Sequence, residues 1–130
     1  MLIIKHLVDA AKGKHPLGAA RSGHWPTVRK QHLALHPVCE VCGGSAKLEV
    51  HHIHSFVEHP DLELDPGNLI SLCEANPNFN CHRIFGHLNN FQQINPNVVA
   101  DSTEWNEKLS KAKEEMKARK EQRKIANAAK

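Results

Sequence analysis

Residues 50–55 read VHHIHS, three histidines within four residues and two of them adjacent. Neutral imidazole is both a metal ligand and a base near pH 7, and folds seldom need two of them side by side. An adjacent pair at the end of an apolar stretch therefore points to chemistry. The four cysteines form a second constellation. Cys39-x2-Cys42 is a knuckle on a tight turn, with Gly43 and Gly44 free to take unusual dihedrals. Cys73 and Cys81 can supply the other half across a spacer longer than the usual two to four residues. Four thiolates around a tetrahedral Zn²⁺ make a closed structural site. The other possibilities are a disulfide pair or four unrelated buried thiols.

His82 follows Cys81 directly, and His87 lies five residues later. At about 100° per residue, a regular helix would leave these two side chains diverging by about 140°. Either His82 sits at the helix start or the turn near Gly86 is distorted. The cysteine staple would pin residues 39, 42, 73 and 81 together, with His82 bonded to the knot and His51 on the strand leading from it. A second metal site of His51, His82 and His87 is thus expected. His54 and His59 read as solvated loop residues, and His6, His15, His24, His32 and His36 have no partner pattern.

The elements that must position these groups can be read in order. Residues 2–11 are loosely helical, and Gly13, Pro16, Gly18 and Gly23 mark an irregular arm. A helix is expected to start near His24 to Pro26 and to stop before Pro37. AKLEVHHI alternates like a strand, residues 55–67 form a long loop, and NLISLC is a second short strand. The stretch from about Phe79 to Asn90 is expected to be a helix carrying His82 and His87. Asp101 or Ser102 can cap a last helix, docked through Trp105, Leu109, Ala112 and Met116 and fraying beyond.

The chain has 130 residues, 40% apolar and 5% aromatic with no Tyr. Such a core is small and needs a staple. No segment resembles a signal peptide or a transmembrane span, so the expected location is cytoplasmic, where paired cysteines more often bind metal than form disulfides. Charge is uneven: nine basic residues against three acidic from Lys108 to Lys130, a local +6, leaving −3 for residues 1–107. A basic tail on a near-neutral body suits a polyanion. A helix that only aids solubility is the plainer reading of the tail taken alone.

EVHHI, DPGNLISLC and CHRIFGH together resemble the HNH endonucleases, with His52, Asn68 and His82 as the eponymous residues. The likeness spans about residues 21–100, including RSGHWPTVRK, and the four cysteines match the zinc-stapled branch. The phrasing of residues 62–101 is similar to small HNH proteins of bacteriophages and prophages. The resemblance implies an α+β fold: a zinc-stapled ββα-metal domain over 21–100, a short arm or helix over 1–20 and a basic helix over 101–130. It also implies metal-dependent cleavage or nicking of DNA with Mg²⁺, Mn²⁺ or Ni²⁺, no organic cofactor, and a partnership with a phage packaging terminase. His51, His82 and His87 would hold the ion and His52 would be the general base, because an imidazole nitrogen holding a cation cannot take a proton. Asn68 would orient His52 by tying the hairpin loop. Arg83 and the tail residues Lys117, Arg119, Lys120, Arg123 and Lys124 would contact phosphates. A non-catalytic zinc-knuckle DNA-binding module is the alternative.

Overall fold

The computed structural model describes residues 20–76 and 79–130. The arm expected over the first residues, with its loosely helical 2–11, lies outside the described part. Helix α1 runs Trp25–Leu35 with Pro26 in its first turn, where a missing N–H is harmless. It ends at His36, whose non-helical φ of −129° is what a following Pro37 favours. These bounds agree with the expected ones.

Strands β1 (Leu48–His52) and β2 (Leu69–Cys73) pair antiparallel, from Leu48 opposite Cys73 to His52 opposite Leu69. All five residues of β2 are buried, which explains why NLISLC reads as a nearly continuous apolar run. The hairpin connection is long and held from inside. Asn68 Nδ2 donates to the carbonyls of His54 and Leu62, both at 3.1 Å, and its Oδ1 accepts from the His54 N–H at 2.7 Å.

The segment expected as a helix from Phe79 to Asn90 is shorter and wound differently. It is a π-helical turn, His82–Gly86, followed by Leu88 and Asn89 in the left-handed region at φ 52° and 62°. Helix α2 spans Val98–Ala128, starting three residues before the first expected cap. Asn95 does the joining work. Its Nδ2 donates to the Phe85 carbonyl at 2.9 Å and to Asp101 Oδ2 at 2.8 Å, tying the π turn to the first turn of α2. Asp101 is thus a partner for Asn95 rather than a cap, and Ser102 is buried within the helix.

The core is Cys39, Val41, Ile70, Leu72, Cys73, Cys81, Phe85 and Val98, so three of the four cysteines are core residues. Of the expected docking stripe on α2, Leu109 packs on this core and Trp105 meets Phe85 at 6.0 Å between centroids. Ala112 and Met116 are exposed. Beyond them the helix does not fray but continues to Ala128 with every residue exposed. Among the described residues no helix is long and apolar enough to cross a membrane.

Candidate metal centres and catalytic cleft

The cysteine knot is built on two tight turns. The Cys39 N–H donates to the Gly44 carbonyl at 2.7 Å, and Gly43 N–H returns to Cys39 at 2.8 Å. Gly43 takes φ 74°, a conformation that a side chain would strain. Cys73 ends β2 and Cys81 opens the π turn. The four sulfurs lie within 4.8 Å of one another, and Cys42 Sγ stands 3.6 Å from Cys73 Sγ. A disulfide would bring two of them to about 2 Å. A tetrahedron of Zn–S bonds of about 2.3 Å has edges of about 3.8 Å, close to what is seen. The protons tell the same story. A hydrogen bond from Cys81 pulls Cys39 down to about 4, and the same bond pushes the Cys81 thiol far up. Burial raises Cys42 as well. Four thiolates this close cannot coexist without a cation, and a bound cation reverses that preference.

Adjacent residues of a strand face opposite ways, which separates the paired histidines. His51 turns toward His82 and His87, at centroid distances of 5.2 and 4.8 Å. His52 turns toward Trp25, at 4.5 Å, and toward the carbonyl of Glu63.

His51, His82 and His87 each bring a ring nitrogen within 4.8 Å of the others. The π turn solves the five-residue spacing, since its i to i+5 repeat returns residues 82 and 87 to one face. Both rings are oriented from behind. His82 Nδ1 donates to Glu74 Oε1 at 2.8 Å, and His87 Nδ1 donates to the Gln93 carbonyl at 2.7 Å. Those bonds place a proton on Nδ1 of each ring, and the two Nε2 atoms face each other at 3.2 Å. With both rings neutral, the two Nε2 lone pairs meet at that distance, an arrangement that a shared cation between them relieves. The third ring is equally suggestive: His51 Nε2 is buried with no hydrogen-bond partner. Burial, then the charges of His82, His87 and His52, lowers the His51 pKa to about 3. His87 is lowered too, first by burial. Neutral imidazoles with oriented tautomers are what a divalent cation takes as ligands. Three such ligands leave open positions and the full positive charge of the ion.

His52 is prepared differently. Its Nε2–H donates to the Glu63 carbonyl at 3.0 Å, which leaves Nδ1 carrying the lone pair. Burial lowers its pKa, and the Glu63 carbonyl acts in the opposite direction. Near neutral pH the ring is therefore an unprotonated base. The two Asn68 contacts to His54 and the one to Leu62 hold the loop that carries Glu63, so Asn68 supports His52 at one remove.

One cleft of about 840 Å³ is lined by His51, His52, His82, His87, Arg21 and Phe91, among others. Arg83 is exposed and forms no ion pair among the described residues. Lys117, Arg119, Lys120, Arg123 and Lys124 are all exposed on the outer half of α2. His54 and His59 are exposed loop residues, as expected, touching edge to face at 5.2 Å. His32, given no role in the sequence, is buried on α1.

Several contributors were not legible in the sequence. Glu63 is a buried carboxylate that accepts the Ser22 N–H at 2.8 Å and pairs with Arg21 at 3.3 Å. Arg21 lies 4.0 Å over the Phe56 ring, half-exposed on the cleft. Glu74 could have been suspected, because it sits next to Cys73 and so near the knot. The Gln93 carbonyl has no side-chain signal at all.

Strand, strand and short helical turn, with a stapled back and an imidazole face, form the ββα-metal arrangement. The family model of the HNH endonucleases matches residues 39–87, from the first cysteine of the staple to the last of the three convergent histidines. That match supports nuclease or DNA-binding activity. No curated protein and no solved structure matches the chain.

Proposed function

We propose that this protein is a metal-dependent endonuclease that hydrolyses DNA phosphodiester bonds, by nicking or by cutting both strands. The observation that carries the reading is the contrast between neighbours. The Nε2 atoms of His82 and His87 converge at 3.2 Å beside the buried, unpartnered His51 Nε2, whereas the His52 ring is held apart on the Glu63 carbonyl. A pure DNA-binding module has no use for that division.

In this reading His51, His82 and His87 hold one divalent cation, Mg²⁺, Mn²⁺ or Ni²⁺. Such an ion supplies Lewis-acid polarisation of the phosphate and charge relief for the leaving oxygen. His52 Nδ1 takes a proton from the attacking water, whose oxygen forms the new P–O bond as the bond to the leaving alkoxide breaks. The Glu63 carbonyl, accepting from Nε2–H, keeps the ring oriented and stabilises the imidazolium that results. Asn68 keeps that loop closed. Cys39, Cys42, Cys73 and Cys81 hold a structural Zn²⁺, which supplies a cross-link to a small core.

Arg21 lines the cleft and Arg83 follows His82 in the chain, and both would meet phosphates of the bound strand. Lys117, Arg119, Lys120, Arg123 and Lys124 fall within an arc of about 160° at ~100° per residue, with Glu114, Glu115 and Glu121 on the other side. This basic face would add affinity without sequence information. Work beside a phage DNA-packaging terminase rests on the phrasing of residues 62–101 alone.

Relaxation of supercoiled plasmid in a metal series is the test. Nicking that appears with Mg²⁺, Mn²⁺ or Ni²⁺ and vanishes with EDTA is expected. Plasmid binding without nicking under every metal would instead establish the non-catalytic zinc-knuckle module.

A further inference from the structure

The loop after His87 carries a feature that metal binding does not need. Phe91 is 56% exposed and Leu88 is 49% exposed. The Phe91 ring stands 4.9 Å from the His87 ring and 5.8 Å from the His82 ring, so one edge touches the ligands while much of its surface faces the cleft. The loop is not loose. Asn90 N–H donates to the His87 carbonyl and Gln93 N–H to the Asn90 carbonyl, at 2.9 and 2.8 Å. His87 Nδ1 then closes it on the Gln93 carbonyl at 2.7 Å. Leu88 and Asn89 both sit in the left-handed region, which β-carbon-bearing residues enter only when the surroundings hold them there. The same turns that orient a ligand thus also present an aromatic ring.

We infer that Phe91 is the substrate-positioning residue of this cleft, stacking on the sugar and base that flank the scissile phosphate. The inference rests on the nuclease reading above. Bases follow each other by about 3.4 Å along a strand, so a ring 4.9 and 5.8 Å from two metal ligands lies within two base steps of them and within reach of the nucleotide beside a phosphate held there. Every base offers a π face, so such a stack needs no particular base. Apolar wedges of this kind partly unstack a base step and bend the duplex around the protein. Here the bend would present the phosphate to His52.

Phe91→Ala and Phe91→Trp, compared with wild type in three measurements, decide the matter. These are Mn²⁺ affinity by calorimetry, hydrolysis of methyl p-nitrophenyl phosphate, which has no base to stack, and nicking of supercoiled plasmid. The expected result for Phe91→Ala is metal affinity and small-diester hydrolysis within about twofold of wild type. Plasmid nicking falls by about 5- to 150-fold, the range that aromatic–base stacking supplies, and Phe91→Trp restores most of it. Plasmid nicking equal to wild type overturns the inference. So does a parallel fall in metal affinity and small-diester hydrolysis, which would make Phe91 mere packing for the ligands, and so does failure of Trp to restore a lost rate. Wild-type protein that nicks no plasmid with any metal sinks the nuclease reading itself, and the inference falls with it; that result is read on a different protein sample from the other three.

Discussion

Gly86→Ala is a one-methyl test of the imidazole site. Gly86 lies within the π turn, and a Cβ placed there would stand 3.0 Å from both Cε1 and Nδ1 of His51 and 3.2 Å from Cδ2 of His82. Ordinary van der Waals contact begins near 3.4 Å, so both rings must give by a few tenths of an ångström. Neither has room. His51 is 3% exposed, and His82 is braced by Glu74 at 2.8 Å. Metal sites tolerate about 0.2 Å of ligand displacement. Overpacking of this kind costs about 1–3 kcal/mol, or about 5- to 150-fold in metal affinity if it falls on the ligands. Helix propensity alone argues the opposite sign, since Ala is favoured over Gly by about 1 kcal/mol in a helix interior. Calorimetric titration with Mn²⁺ or Ni²⁺ reads the outcome, with Gly23→Ala as control because nothing lies within 4 Å of a Cβ there. The expected result is weakened binding for Gly86→Ala and none of it for Gly23→Ala. Unchanged metal affinity in Gly86→Ala would refute the proposal that His51 and His82 are co-ligands.

Cys39→Ser should lose the zinc and the cooperative thermal transition together, because structural zinc in small domains carries about 10 kcal/mol or more of folding free energy; elemental analysis that finds no zinc in folded wild type would contradict it. Deleting residues 117–130 should weaken DNA binding and flatten its salt dependence by about 0.9 in slope for each phosphate no longer neutralised. Equal affinity at low salt with and without the segment would rule that out. His32 is buried with its pKa below the ordinary 6.5, first through burial and then through His36. The unfolded chain therefore takes up the proton before the folded one, and stability falls as pH drops below about 6.5, by at most about 1.4 kcal/mol per pH unit. Denaturation of wild type and His32→Leu from pH 7.5 to 5.5 should show the steeper loss in wild type, and parallel profiles would contradict it.

Residue type and spacing made the cysteine knot and the paired histidines visible in the sequence, because few other arrangements call for those side chains. β1 was visible through the alternation of Leu48 and Val50 with polar residues, and β2 through the nearly continuous apolar run that matches its full burial. The winding of residues 82–86 was not visible. Five residues are too few for a period, and only the requirement that His82 and His87 converge hinted at a distorted turn. The continuation of α2 beyond Met116 was misread because the apolar stripe fades there. Intrinsic propensity sustains that segment instead, rich as it is in Ala, Lys, Glu, Arg and Gln. The groups that orient the imidazoles were hidden for a third reason. The Glu63 and Gln93 contacts run through backbone carbonyls, whose position depends on the fold and not on the residue's name.

The division of labour between His51 and His52 is the central claim, and His52→Ala tests it most directly when metal affinity and plasmid nicking are measured on the same preparation. The account predicts Mn²⁺ affinity within about twofold of wild type with nicking lower by about 10²–10⁴-fold, the usual loss on removing a general base. Loss of Mn²⁺ binding in His52→Ala, with binding intact in His51→Ala, would contradict it.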